Sequence, residues 1–294
     1  MGNDRQVVVV TGSSAGYGWQ TAVELARRGH WAFASMRDPQ GRNAPKVAEL
    51  KRIAEEERLS LDVVALDVTD DESTGQAVRE VLAAAGRVDG LVNNAGFGVI
   101  GPWETISVEQ AERQFAVNFF GPFRVAKAVV PAMRDRHFGT IVNICSESGI
   151  RPVPFEAAYA PSKAALASLT EVMRYELQQF GIRCCCVHPG WYGDTEWDLR
   201  QVSTVDWDEP AEPYTSLVRE FSAAQGQKEG PQENTGQVAR AVADVIEASD
   251  PPLHTCVGCS DLRTRPYPAP ADFEAAMFSF YEIETLRGPW AARD

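Results

Sequence analysis

The opening of the chain narrows its fold more than any other stretch. Gln6-Val7-Val8-Val9-Val10 is an apolar run without the polar alternation of a half-exposed strand. Such a run reads as a parallel strand buried on both faces. It passes directly into Thr11-Gly12-Ser13-Ser14-Ala15-Gly16-Tyr17-Gly18, and a helical pattern over residues 19–28 follows, stopped by Gly29. Strand, glycine turn and helix form the context in which a glycine loop binds phosphate. Glycine allows the tight turn and lets backbone amides approach a pyrophosphate seated at the helix N-terminus. The spacing is G-x-x-x-G-x-G rather than G-x-G-x-x-G, and three turn glycines with no ligand are the competing reading here.

The alternation continues along the chain. Strands are predicted near residues 7–10, 31–35, 62–66, 90–92, 140–145, 182–188 and 254–257, with helical patterns between them. Buried runs alternating with helices predict an α/β fold, a Rossmann-type doubly wound parallel sheet of about seven strands flanked by helices. Composition does not break along the 294 residues, which predicts one domain over 1–294. The ligand is then expected at the carboxyl ends of the strands, where Gly12, Asn94, Ser146 and Pro189 all fall.

The second strand ends in Met36-Arg37-Asp38. In dinucleotide folds this strand end faces the adenine ribose, where an acidic residue suits the 2′-hydroxyl of NAD and an arginine the 2′-phosphate of NADP. Arg37 offers the planar fork that fits phosphate, so NADP is favoured over NAD. Further on, Tyr159 and Lys163 stand four apart in Tyr-Ala-Pro-Ser-Lys at the start of a helical pattern. That spacing puts phenol and ammonium on one helix face. The ammonium is expected to pull the tyrosine pKa down and make Tyr159 a general acid and base. By itself the pair is a common helix-surface pattern.

Together these residues resemble the short-chain dehydrogenase/reductase family, in its compact single-domain, NADP-preferring form. The match runs from about Val7 to Gly258, with the motifs in the family's order. Thr11 to Gly18 is similar to T-G-x-x-x-G-x-G; Asp67 in Leu66-Asp67-Val68 matches the aspartate at the adenine amino group; Asn93-Asn94-Ala95-Gly96 matches N-N-A-G. Asn118 matches the active-site asparagine, Ser146 stands thirteen residues before Tyr159 as the catalytic serine does, and Pro189-Gly190 matches the turn over the nicotinamide. The resemblance implies that Tyr159 exchanges a proton with the substrate oxygen and that Ser146 hydrogen-bonds that oxygen. It implies that Lys163 lowers the tyrosine pKa and holds the nicotinamide ribose, and that Asn118 anchors a water leading to Lys163. Cofactor contacts are implied for Gly12, Ser14, Ala15, Gly16, Tyr17, Gly18, Arg37, Asp67, Val68, Asn94, Ala95, Gly96, Tyr159, Lys163, Pro189, Gly190 and Thr195. Two departures stand out: Ala15 occupies a position often basic in NADP-using relatives, and Asp194 stands where a threonine is common, with Thr195 one later.

In the family the segment 190–234 is a substrate lid, and here it is read as long and irregular up to a helix near Thr235. Its aromatics, with Trp191, Tyr192, Trp197 and Trp207, suit a bulky, partly apolar substrate, and its many acidic residues could favour an amine-bearing ketone. Phe97, Val99, Trp103 and Phe155 follow active-site motifs and are expected to line the pocket, with Ser146 and Tyr159 against the substrate. Residues 266–294 form a C-terminal extension whose Phe273, Met277, Phe280, Tyr281 and Glu284 recur at helical spacing. The resemblance also implies a homo-oligomer, dimer or tetramer, paired through the helices holding Asn118 and Tyr159.

The function expected is a hydride transfer between NADP(H) and a ketone or secondary alcohol, as in carbonyl reductases and alcohol dehydrogenases. The alternatives are isomerisation, dehydration or double-bond reduction on the same scaffold, and a non-catalytic cofactor-binding protein. A net charge of −13 argues against nucleic acid or an anionic membrane as partner. No signal pattern and no bilayer-length apolar run are read, so a cytoplasmic protein with a small-molecule partner is expected. The six cysteines fit a reducing compartment. Cys184-Cys185-Cys186 reads as strand packing, and Cys256 and Cys259 lack a second pair or a suitably spaced histidine, so no metal is expected.

Overall fold

The computed structural model describes residues 5–190, 203–226 and 236–258. Seven strands form one parallel sheet: β1 Val7–Val10, β2 Trp31–Met36, β3 Leu61–Ala65, β4 Gly90–Asn93, β5 Gly139–Ile144, β6 Ile182–Pro189 and β7 His254–Val257. Their order is β3-β2-β1-β4-β5-β6-β7. The helices are α1 Gly16–Arg27, α2 Ala44–Glu57, α3 Asp71–Ala85, α4 Val108–Phe115, α5 Gly121–Asp135, α6 Tyr159–Leu177, α7 Thr215–Gly226 and α8 Gly236–Glu247. The expected doubly wound architecture is therefore observed.

The valine run shows why. Val8 and Val10 point into the apolar layer under α1, α2 and α8, while Val7 and Val9 point into the layer under α3, α5 and α6. A strand's period of two sends neighbours to opposite faces, so a sheet covered on both sides needs apolar residues at every position. Chain order reverses between β1 and β4, which pair side by side. That reversal opens a crevice at the carboxyl ends of both strands. The glycine loop leaves β1 there, and Asn94-Ala95-Gly96 leaves β4.

The segment after β6 departs from the irregular reading. Within the segment read as irregular, Thr215–Gly226 is helical. Val218 and Phe221 are buried from it against Ile100 and Phe155, with Trp207, Tyr214 and Leu217 packed around them. Acidic and aromatic neighbours masked that spacing in the sequence. No helix among the described residues is long and apolar enough to cross a membrane.

Candidate active site

The loop after β1 is held by side chains that close on it from β4. Thr11 Oγ1 accepts from the backbone amides of Asn94 and Ala95, both at 3.0 Å. Asn94 Nδ2 donates back to the carbonyls of Thr11 and Gly12 at 2.9 and 3.1 Å. The contact is too close for side chains: a Cβ on Gly12 would lie 2.7 Å from Ala95 Cα, and one on Gly18 would lie 2.3 Å from Asn94 Nδ2. Gly16 differs. Its φ is +54° and a Cβ there would meet nothing within 4 Å. The α1 N-terminus beside it has no side-chain cap. Backbone amides with open space before them suit a pyrophosphate. Ser14, Ala15 and Tyr17 are partly buried around this turn.

The residues expected at the adenosine end lie at the exits of β2 and β3. Arg37 is exposed just after β2. Asp38 folds the following turn back by accepting from the amides of Gly41 and Arg42 at 3.0 and 2.9 Å. Arg42 is thereby brought to the same place as Arg37. Both arginines act on Asp67 beyond β3. Burial opposes charge on that carboxyl, but hydrogen bonds from Thr69 N and Oγ1 (2.9 and 2.7 Å) and the two guanidiniums outweigh it and hold its pKa below the ordinary value. Val68 beside it is buried.

The four residues expected to be catalytic lie near the ends of β4 and β5. Asn118 lies in a wider π turn, Ala116–Phe120, between α4 and α5, a local irregularity that concentrates at functional sites. Its side chain is fully buried and committed: Oδ1 accepts from Phe97 N at 3.1 Å, and Nδ2 donates to Phe97 O at 2.9 Å and Ser162 Oγ at 3.1 Å. Ser146 leaves β5 with its Oγ accepting from Ser148 N at 3.2 Å, and it hydrogen-bonds the Tyr159 hydroxyl. Lys163, one turn beyond Tyr159 on α6, is buried and donates to Ile144 O at 2.7 Å. A Cβ on Gly96 would lie 3.2 Å from Asn118 Oδ1 and 3.5 Å from Lys163 Nζ. The glycine of N-N-A-G thus leaves room where Asn118 and Lys163 approach. Pro189 ends β6, and Gly190 N donates to Val257 O at 2.8 Å.

One electrostatic expectation is corrected. The Tyr159 pKa is raised, not lowered: burial disfavours the phenolate, Glu156 adds negative charge, and the Ser146 hydrogen bond pulls the other way without winning. Burial likewise lowers the Lys163 ammonium to about 8. Lys163 Nζ lies 5.8 Å from the Tyr159 ring centre and turns to the Ile144 carbonyl, so it does not dominate the tyrosine. At neutral pH Tyr159 is a phenol, the form that donates a proton.

Above the quartet, Gly101 bridges Glu156 and Ile100 bridges Ser203, tying three loops together. Phe155, at φ +70°, is buried edge-on against Trp207 and Phe221, with ring centres 5.5 and 5.0 Å away. Phe97 is partly buried under the Arg113 guanidinium, and Val99 is buried. Among the described residues Trp103 is 77% exposed, carried outward by the short turn Trp103–Thr105. Trp191, Tyr192, Thr195 and Trp197 lie outside the described residues, as does the 266–294 extension.

Sequence reasoning missed three participants. Thr11 entered only as a motif letter, although its hydroxyl joins β1 to β4. Ser162 links Asn118 to the Tyr159 carbonyl, to which its Oγ donates at 2.7 Å. Arg42 needed the Asp38 turn to be recognised, and Pro39 and Gly41 were the available signal.

The family model described as short chain dehydrogenase matches residues 6–204. A 3-ketodihydrosphingosine reductase of Bacteroides thetaiotaomicron is 32% identical over 258 residues, covering 86% of this chain and 88% of its own. Retinol dehydrogenase 8 of Bos taurus is 34% identical over 263 residues, covering 86% and 81%. A crystal structure of an actinorhodin polyketide ketoreductase with NADPH superposes with a TM-score of 0.72 at 28% identity, covering 87% of this chain and 96% of that one.

Proposed function

The chain belongs to the short-chain dehydrogenase/reductase family, and on that premise we propose that it is an NADP(H)-dependent oxidoreductase of a ketone and secondary alcohol pair. The observation that carries this reading is that Ser146 hydrogen-bonds Tyr159 while Lys163, one turn further along α6, meets Asn118 beside Gly96. NADPH, when bound, supplies the hydride. The chain's own residues supply the rest. Tyr159 gives its proton to the carbonyl oxygen, Ser146 donates a hydrogen bond to the same oxygen, and Lys163 holds positive charge behind them. Asn118 positions the Phe97 segment and, through Ser162, the first turn of α6. Gly16 and the α1 N-terminus would hold the pyrophosphate, and Asp67 the adenine. Arg37 and Arg42 would hold the 2′-phosphate.

The substrate is read as bulky and partly apolar. Phe155, Trp207 and Phe221 build an apolar roof beside Tyr159, and two relatives are named for 3-ketodihydrosphingosine and retinol. Glu156, whose charge reaches Tyr159, favours an amine-bearing ketone among such substrates.

Cofactor choice is tested by titrating NADPH and NADH separately and following nicotinamide fluorescence. NADPH is expected to bind more tightly. A charge-assisted hydrogen bond contributes about 1.5–3 kcal/mol, so Arg37→Ser should weaken NADPH by roughly 10- to 100-fold and leave NADH unchanged. Arg42→Ser should weaken it in the same selective way. An equal loss of both cofactors would remove the 2′-phosphate assignment.

Self-association is proposed through α5 and α6 and the turn before them. Phe120 and Phe123 are 53% and 47% exposed, and Val172 and Tyr175 are 48% and 66% exposed. Large apolar side chains left exposed on these elements suit an interface. Phe123→Glu combined with Tyr175→Glu is expected to convert an oligomer to monomer in light scattering. A parent chain that is already monomeric would refute the proposal.

A further inference from the structure

Beneath the catalytic serine, on the α6 side of the sheet, the strand register collects soft ligands that the sequence keeps apart. Asn143 pairs with Cys186 and Ile144 with Val187 across β5 and β6, and Cys145 N continues the ladder to Val187 O at 2.8 Å. His254 pairs with Cys186 across β6 and β7. Alternation then sends Cys145, Cys186, His188 and His254 to the same face. Cys185 faces the opposite layer, while Cys184 shares this face but packs further along it, against the core under α5. Among the described residues, the Sγ atoms of Cys145 and Cys186 and a ring nitrogen of His188 lie within 4.8 Å of one another, all buried. Cys186 Sγ is in hydrogen-bonding reach of Cys145, His188 and His254 alike.

We propose that Cys145, Cys186, His188 and His254 form a tetrahedral site for a thiophilic divalent ion, zinc by ligand chemistry. Two thiolates and two imidazoles are the donor set such an ion takes. Both histidines already carry the outer partners that orient metal-ligating imidazoles. His188 Nδ1 lies 3.2 Å from the Ser146 carbonyl, which can only accept, so Nδ1 is the protonated nitrogen and Nε2 offers its lone pair. That Nε2 faces His254 Nδ1 at 3.0 Å, and the far nitrogen of His254, Nε2, meets the Glu171 carboxylate at 3.3 Å. Two sulfurs each about 2.3 Å from one zinc stand about 3.8 Å apart, inside the 4.8 Å that spans the ligand atoms of Cys145, Cys186 and His188. Binding replaces the two thiol protons, which leave to solvent, and changes no oxidation state. His254, 40% exposed, gives the ion a way in. Cys145 precedes Ser146, and His188 holds the Ser146 carbonyl, so an ion here would brace the serine from behind.

The test uses the full chain, reduced and stripped with chelator, titrated with cobalt(II) as the spectroscopic probe. A sulfur-to-cobalt charge-transfer band and strong tetrahedral visible bands are expected, saturating at one ion per chain and bleached by zinc. Cys145→Ala and Cys186→Ala should each reduce the charge-transfer intensity by about half or more, and His188→Gln should weaken binding by tenfold or more. Cys256→Ser should leave the spectrum unchanged. Absence of the band from the wild-type chain would overturn the proposal whether or not the variants fold. So would a band that survives both alanine substitutions or is lost with Cys256. A chain whose Cys145 and Cys186 form a disulfide under the reducing conditions used would also overturn it.

Discussion

Tyr159→Phe is expected to lower the turnover of carbonyl reduction by roughly 10²- to 10⁴-fold, the range that a positioned general acid contributes. The substitution isolates the hydroxyl. The ring keeps its place in the cluster of Ile100, Phe155, Val218 and Phe221, and Ser146 keeps its bond from Ser148 N. The lost Ser146 hydrogen bond costs about 1 kcal/mol of stability, so the variant should melt close to the parent. NADPH affinity, read by fluorescence, should change by less than about threefold, since the phenol oxygen serves the reacting carbonyl. A turnover within tenfold of the parent would sink the assignment of Tyr159 as the proton donor. It would favour chemistry on this scaffold that needs no such proton.

The pH dependence follows from the two burial-shifted groups. Reduction needs the Tyr159 phenol and the Lys163 ammonium. The phenol persists because its pKa is raised by burial and Glu156, so it imposes no limb below its ordinary value. The ammonium is lost as pH rises through about 8, so reduction should hold level through neutrality and fall above that point. Alcohol oxidation needs the phenolate and should climb with pH across the whole measurable range. Glu156→Gln removes a charge that raises the tyrosine, so the oxidation limb should move to lower pH. The Lys163 limb of the reductive profile should stay in place, because Glu156 does not act on Lys163.

What the sequence disclosed and what it hid follow one division. Strands buried on both faces announce themselves through runs of apolar positions; the valine run was readable on that ground, as was the strand over 182–188 through its core from Cys184 to Val187. The spacing of Tyr159 and Lys163 was readable because a helix repeats on a fixed pitch. Whatever depends on which element covers which was hidden. The sign of the tyrosine shift is set by burial and by Glu156, and part of that burial comes from Ile100 and α7, brought to Tyr159 from distant segments. α7 was hidden because Leu217, Val218 and Phe221 sit in a stretch whose acidic residues dominate the reading. Arg42 was hidden behind a side-chain-stabilised turn at Asp38. The cysteine and histidine cluster was hidden because its members are joined by strand register, which local spacing does not encode.

The glycine loop offers the sharpest separation of turn from cradle. Gly16→Ala and Gly18→Ala add the same methyl two residues apart, with different expected outcomes. On Gly18 the Cβ would lie 2.3 Å from Asn94 Nδ2 and 2.4 Å from Gly12 O. Those two atoms are themselves hydrogen-bonded at 3.1 Å, so the methyl wedges open the bond that ties the loop to β4. Overpacking costs about 1–3 kcal/mol and the broken bond about 1 more, so Gly18→Ala should lower the melting temperature by several degrees. It should weaken NADPH by at least about 100-fold, because the amides lose their arrangement. On Gly16 the methyl meets open space, and the cost is the left-handed backbone alone, about 1 kcal/mol. Gly16→Ala should therefore melt near the parent yet bind NADPH about as poorly as Gly18→Ala, because the methyl occupies the ground before the α1 amides. Calorimetry and fluorescence titration read the two quantities separately. If Gly16→Ala binds NADPH like the parent, the open ground beside Gly16 is solvent, and the pyrophosphate must be sought elsewhere along the loop.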